Sequence, residues 1–192
     1  MNKTRLEAFS DGVLAIIITI MVLEIKMPHD SSFAALSALL PTFFGYMLSF
    51  VFVGIYWVNH HHLVHVVNRV SAGIMWANLN LLFWLSLVPF ATAWMGENHF
   101  AANTVAVYAV LLNVCGISYT ILQRTIMSCH HLSNELLSAM KKQSKKGIVS
   151  LIGYTTALGF AFLQPIVSEL LFVAVAILWL IPDKNIEQAL KD

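Results

Sequence analysis

The sequence has few charged residues. Asp, Glu, Lys and Arg make up only 11% of its 192 residues, whereas 58% are hydrophobic, and soluble domains carry roughly 25% charged residues. This composition excludes a soluble globular domain. The net charge of +1 leaves no basic face to neutralise phosphates, which excludes a nucleic-acid partner. We therefore predict a membrane protein.

Cysteine and catalytic motifs are also scarce. Cys115 lies in an apolar segment and Cys129 just beyond its polar end, so the pair implies neither a disulfide framework nor a CxxC metal site. The sequence contains no GxSxG elbow, HExxH pair, P-loop or GxGxxG. Asp11 is the only acid well inside a predicted span, apart from Glu169 near a proline turn. We predict that the protein is not an enzyme and holds no cofactor.

Long apolar stretches are what the sequence does contain. In the first, Thr19 is the only polar residue between Gly12 and Leu23, and Pro28 follows shortly after. A helix needs roughly 20 residues to cross a hydrocarbon core, so we predict span one at about residues 6–27. A secretory signal peptide is the alternative, but no small-residue cleavage site follows and a carboxylate lies within the segment.

Five more spans are predicted after the first. Three cover about residues 36–63, 73–94 and 102–122. The last apolar region, 147–181, would form a helix of roughly 50 Å, too long for one crossing of a core about 30 Å thick. Gln164-Pro165 breaks it into two short spans; a five-span protein with one long kinked helix is the alternative. Residues 133–142 predict a short capped amphipathic helix between spans four and five.

The basic residues support six spans with both termini in the cytoplasm. In that topology every Lys and Arg except Lys26 falls on the cytoplasmic side, as the positive-inside rule requires. Five spans would place the C-terminus on the other side. No linker or internal repeat is visible. We predict an all-α, multi-pass membrane protein with a single domain over residues 1–192, its basic residues cytoplasmic at Lys3, Arg5, Arg69, Arg124, Lys141, Lys142, Lys145, Lys146, Lys184 and Lys191.

Span one carries an apolar stripe along one face. At 100° per residue its members fall within about 40° of one another. Asp11 lies roughly 140° from Ile16 on the same wheel, so it points sideways, towards other helices. Spacing alone favours ordinary lipid or core packing for the stripe, which consists of Arg5, Phe9, Ile16 and Leu23, flanked by Gly12, Thr19 and Ile20.

Asp11 requires hydrogen-bond donors. An ionisable side chain within a span is costly unless it is paired, and it usually faces the protein interior. Donors at a matching depth near the cytoplasmic end are Arg5, Trp57, His60 and Asn78. We expect Asp11, with Ser10 beside it, to join span one to its neighbours.

Histidines cluster at the end of span two. His61 and His65 lie one helical turn apart, the spacing of a metal pair. Consecutive histidines point in different directions, however, and no Cys or carboxylate accompanies them. Interfacial or hydrogen-bonding roles are therefore favoured, and whether the cluster at His60, His61 and His62 binds anything stays open.

The motif Arg5-x-x-x-Phe9-Ser10-Asp11, followed by an Ile/Thr/Leu-rich helix, resembles the signature of the transmembrane protein 175 family of potassium channels. Every specified position of that motif matches, and the length corresponds to one six-span repeat of the family. After span four the resemblance to the family is weaker, and no residue there is diagnostic of it. The likeness extends to Trp57-x-x-His60, Asn78-Leu79 and Pro89.

The resemblance implies a single-repeat, prokaryotic type of channel that forms a homotetramer in the plasma membrane. In this family the first helices line a central pore and bulky apolar side chains constrict it. By position, Ile16 and Leu23 become the constriction, Thr19 a hydroxyl-bearing layer and Ile20 a flanking contributor. The implied structural network that holds the helices together consists of Arg5, Phe9, Ser10, Asp11, Trp57, His60 and Asn78.

The implied function is a potassium-permeable cation channel of modest selectivity with a hydrophobic gate. No Thr-Val-Gly-Tyr-Gly loop is present, so discrimination would come from pore width and the Thr19 hydroxyls. A secondary transporter of a small ion or solute is the alternative. Its site would be built on broken helices near the midplane, and span one has no Gly or Pro break there.

Overall fold

The computed structural model describes residues 2–129 and 133–180, and every regular element in them is an α-helix. The expected all-α class is confirmed. Eight helices follow one another: α1 (Lys3–Leu23), α2 (Phe33–Ser37), α3 (Leu40–His65), α4 (Ala72–Leu85), α5 (Val88–Glu97), α6 (Ala102–Cys129), α7 (Asn134–Ala161) and α8 (Pro165–Leu180).

Four segments of the described chain are long and apolar enough to cross a membrane: α1, α3, the α4–α5 pair and α6. The α8 helix is apolar but shorter, at 16 residues. The α7 helix has 28 residues, of which only the second half is apolar. That α7 and α8 also cross the membrane, giving six spans, therefore stays a prediction. Lys184 and Lys191, which were predicted to be cytoplasmic, lie outside the described residues.

Two helix boundaries differ from the sequence-based expectation. The amphipathic segment 133–142 is not a separate helix, because α7 continues without interruption from Asn134 to Ala161. Gly147 alone does not stop it, since a glycine costs only about 1 kcal/mol in a helix interior. Span three is divided between Leu85 and Val88, where Pro89 lacks the N–H that a continuous helix would use.

Other boundaries follow the sequence closely. The hydroxyl of Ser133 caps α7 by accepting a hydrogen bond from the Leu136 amide at 3.2 Å. Ser32 caps α2 in the same way, bonding the Ala35 amide at 3.2 Å. The predicted break at Gln164-Pro165 is confirmed, because α7 ends at Ala161 and α8 begins at Pro165.

The α1 helix packs against α3, α4 and α5 by a single face. Its buried residues recur every three or four positions, which places them on one side of the helix. The opposite side has no neighbour among residues 2–129 and 133–180 and is exposed. The buried face consists of Leu6, Ser10, Leu14, Ile17 and Met21.

The start of α3 and the end of α5 cross at very short range. A Cβ added to Gly96 would lie 2.7 Å from the Cα of Thr42, closer than real carbon atoms approach. Because the obstructing atom belongs to the backbone, no side-chain rotation relieves it. Glycine at this position therefore allows the two helices to touch.

We expect Gly96→Ala to lower the free energy of unfolding by roughly 1–3 kcal/mol, the usual cost of overpacking. Thermal unfolding of the detergent-solubilised protein, followed by tryptophan fluorescence, measures the change. Gly159→Ala is the matched control, because nothing lies within 4 Å of a Cβ at Gly159. Equal midpoints for the two variants would contradict the close crossing.

Candidate functional site

The proposed pore stripe lies on the exposed side of α1. Ile16 is 58% exposed, Ile20 40% and Leu23 79%, and Thr19 between them is exposed as well. These side chains point away from the face that packs on α3, α4 and α5. The stripe that the helical wheel groups together is thus also one surface of the folded chain.

Thr19 offers an oxygen to this surface. Its hydroxyl donates to the Ile16 carbonyl at 2.9 Å, so the hydrogen is engaged within the helix. The oxygen lone pairs that remain are acceptors. An exposed acceptor on an otherwise apolar face is suited to contact with water or a cation.

A buried series of hydrogen bonds connects α1, α4 and α3 through the side chains of Ser10, Asn78 and His60. The Ser10 hydroxyl donates to the Leu6 carbonyl at 2.8 Å and accepts from the Asn78 amide nitrogen at 3.0 Å. The Asn78 amide oxygen lies 2.6 Å from Nε2 of His60, which makes that ring nitrogen the donor. All three side chains are at most 2% exposed.

Asp11 has a different partner from the one that Ser10 uses. The Trp57 indole N–H donates to Oδ1 of Asp11 at 3.0 Å, and both residues are exposed in the single chain. The carboxylate therefore lies at the flank of α1 beside α3. It is not part of the buried hydrogen-bond series of Ser10, Asn78 and His60.

Arg5 and Phe9 do not enter either group. Arg5 is exposed and forms no side-chain hydrogen bond or ion pair with residues 2–129 or 133–180. Phe9 is 52% exposed. Of the seven residues proposed as a structural network, five therefore meet within the chain, and these two lie on its outward surface.

The histidines at the end of α3 do not assemble a metal centre. The rings of His61 and His65 are 6.1 Å apart, and His60 is engaged with Asn78. Within the described chain, no group of three or more His, Cys, Asp or Glu side chains is placed to hold a metal ion. The His65 carbonyl instead accepts a hydrogen bond from the Lys3 ammonium, which joins the end of α3 to the start of α1.

A second polar cluster was missed by the sequence analysis. Gln123 of α6 donates to Gln143 of α7 at 2.9 Å, Gln143 donates to Asn59 of α3 at 2.7 Å, and Ser144 donates to Gln123 at 2.9 Å. Both glutamines are at most 4% exposed. The predicted fourth span ends at about residue 122, just before Gln123, whereas α6 extends through it to Cys129.

Just after the C-terminal end of α1, an ion pair joins the chain to α5. The Lys26 ammonium lies 2.6 Å from a Glu97 carboxylate oxygen, with the two side chains 77% and 42% exposed. Hydrogen bonding to Glu97 raises the pKa of Lys26. The pair lies just beyond Leu23, at the end of the stripe.

The family model described as "Endosomal/lysosomal potassium channel TMEM175" matches residues 5–89. That range includes α2, α3, α4 and all of α1 except its first two residues, and with them the stripe and the hydrogen-bonded groups formed by Ser10 and by Asp11. The family resemblance therefore includes all the candidate site residues.

Individual relatives extend the likeness to the whole chain. A potassium channel of Chryseobacterium sp. (strain P1-3) is 51% identical over all of both chains, and one of Streptomyces collinus is 34% identical over 85% of each. A crystal structure of a Chamaesiphon minutus homologue of the lysosomal potassium-selective channel TMEM175 superposes with a TM-score of 0.83. It is 28% identical, with 93% of this chain and 96% of that chain covered. The chain therefore belongs to the TMEM175 family of potassium channels.

Proposed function

We propose that this protein is a potassium-permeable channel of the cell membrane in which four copies of α1 surround a central pore. The observation that carries the proposal is the two-sided character of α1. One face is buried in its own subunit, and the other exposes Ile16, Ile20 and Leu23 with a single hydroxyl layer at Thr19. Potassium is inferred as the permeant ion because these relatives are named potassium channels. Neither name describes an enzyme.

The gate in this proposal is formed by two apolar rings. Ile16 and Leu23 are separated by two helical turns, about 10 Å along α1. Rings of this kind expel water when they are narrow and conduct when they dilate. Small rotations or dilation of the four α1 helices would therefore open and close the path.

Selectivity in such a pore is modest. Because α1 is an unbroken helix from Lys3 to Leu23, its carbonyls are used in backbone hydrogen bonds and do not form a filter. Thr19 oxygens and the pore width remain to discriminate between ions. Few charges concentrate cations near the path, and Glu24 and Asp30 lie beyond its outer end.

The topology proposed is six spans with the N-terminus in the cytoplasm: α1, α3, the α4–α5 pair, α6, the apolar half of α7, and α8. Lys3 contacts the end of α3, and Gln143 of α7 contacts Gln123 near the end of α6. Most basic residues therefore gather at one end of the bundle, and Lys26 lies at the other. The positive-inside rule places the basic end in the cytoplasm.

A tetramer supplies what one subunit lacks. A single α1 cannot enclose a path for ions, and its apolar stripe is left exposed by the part of the chain that the structure describes. Arg5 and Asp11 are also exposed, although charges near a hydrocarbon core usually face protein or water. Neighbouring subunits around a central axis would cover these groups.

A secondary transporter remains the alternative class. Its site would use a broken helix near the midplane, and the division between α4 and α5 is such a break. Among residues 85–88 only Ser86 is polar, and its hydroxyl already donates to the Phe83 carbonyl at 2.7 Å, so the break offers a substrate no free side-chain donor.

Recording from the purified protein in planar bilayers under potassium and sodium gradients tests the proposal. We expect single-channel openings with a reversal potential on the potassium side. Saturable, counterion-exchanged flux would support a transporter instead. Absence of any flux would support a scaffold or sensor.

We expect Ile16→Asn to raise cation flux in liposomes, because the amide hydrates a ring that otherwise excludes water. Val22→Asn is the matched control: Val22 is 47% exposed on the same helix but about 120° away from Ile16. Unchanged flux and selectivity in Ile16→Asn, or an equal rise in Val22→Asn, would show that Ile16 does not line the gate.

We expect Asp11→Ala to reduce tetramer formation more than ion selectivity, because it removes the Trp57 contact and a charge beside a subunit surface. Size-exclusion chromatography and bilayer recording measure the two effects separately. Trp57→Phe removes the same hydrogen bond but keeps the charge, so a smaller loss of assembly is expected. An intact Asp11→Ala tetramer with altered ion preference would assign Asp11 to permeation.

A further inference from the structure

The outward face of α7 combines two lysines with an apolar strip. Lys141, Lys145, Ile148, Ile152 and Thr155 recur every three or four residues, so they share one side of the helix. All five are exposed, with Ile148 at 55% and Ile152 at 62%. The opposite side is buried and includes Met140, Gln143 and Ser150.

An open groove follows the lysines along this face. It has a volume of about 280 Å³ and begins within one turn of Lys145. No charged side chain lines it, and the Thr155 hydroxyl is already bonded to Asn113 of α6 at 3.2 Å. Its lining residues are Ile148, Leu151, Ile152, Thr155 and Thr156.

Positive charge at the head of the groove is not neutralised within the described chain. Lys141, Lys145 and Arg124 form no ion pair with residues 2–129 or 133–180. The Gln123–Gln143 hydrogen bond sets Arg124 at the level of the two lysines. The only acid of α7 is Glu135, roughly 9 Å before Lys141 along the helix axis.

We propose that this face binds one anionic phospholipid, with its phosphate at Lys141 and Lys145 and an acyl chain in the groove. Lysine ammonium groups bind phosphate as point charges, and basic clusters beside a membrane span attract anionic lipids. Charge and apolar surface follow each other along the helix in the order of a lipid's own headgroup and chain. A soluble anion would satisfy only the lysines.

Native mass spectrometry of the full-length protein with phosphatidylglycerol and phosphatidylcholine of identical chains tests the site. We expect Lys141→Gln/Lys145→Gln to weaken phosphatidylglycerol binding roughly tenfold or more, since each basic residue contributes about a fivefold factor. Lys142→Gln/Lys146→Gln removes the same charge from another side of α7 and should retain binding. Lys141→Arg/Lys145→Arg should also retain it and reports on folding.

The groove is tested separately from the charge. Ile152→Trp fills it while leaving every lysine in place and should lower phosphatidylglycerol binding. Equal losses in the two glutamine pairs would overturn the proposal in favour of diffuse electrostatics. Full competition by soluble glycerol phosphate would also overturn it.

A neighbouring subunit is the alternative to a lipid as the occupant of the groove. Benzophenone maleimide attached to Ile152→Cys in a Cys129→Ser background would give crosslinked dimers on illumination in membranes if a second subunit covers the groove, because this probe reacts with any residue of a neighbour and the other cysteine, Cys115, is buried. Such dimers would overturn the lipid site, and their absence together with lipid binding would support it. Neither result depends on ion flux, so the proposed channel function stands or fails independently.

Discussion

Inside a bilayer, a polar side chain must find its partner within the protein, because no water is present to replace it. In α1 this constraint acts on Ser10, which bonds to Asn78 and, through it, to His60. The bond fixes the rotation of α1 about its own axis. Turning the helix by one residue, about 100°, would move Ser10 off the packed face and carry part of the apolar stripe inwards. The identity of the exposed face thus depends on three buried polar residues that do not touch it.

Much of this arrangement was predictable from the sequence because it depends on local periodicity. The stripe of Ile16, Thr19, Ile20 and Leu23 follows from 3.6 residues per turn, and the break before α8 follows from Pro165. Which donor serves which acceptor was not predictable. Trp57, His60 and Asn78 all lie at suitable depth, and only the packing of α1 on α3 and α4 assigns Trp57 to Asp11 and Asn78 to Ser10.

The errors of prediction have physical causes too. Residues 133–142 have the composition of an interfacial helix, but no residue after them ends it, so α7 continues without interruption to Ala161. Arg5 was one of four possible donors to Asp11, and within the described residues it is Trp57 that makes this bond. The fourth span was predicted to end just before Gln123, where the apolar run stops, whereas hydrogen bonds to the buried Gln143 and through it to the partly buried Asn59 make Gln123 part of the helix packing.

The attachments of α1 differ along its length. Near its start a buried hydrogen-bonded chain holds Ser10, whereas the contact beyond its far end is an exposed ion pair between Lys26 and Glu97, and exposed pairs contribute only about 0–1 kcal/mol. Between the two, the buried side chains of Leu14, Ile17 and Met21 hold the helix by apolar packing, which is less directional than hydrogen bonding, so Ser10 is the natural pivot for a tilt of α1. Leu23 lies about 20 Å from Ser10 and Ile16 about 9 Å. A tilt of about 5° about that pivot would carry Leu23 roughly 1.7 Å and Ile16 about half as far.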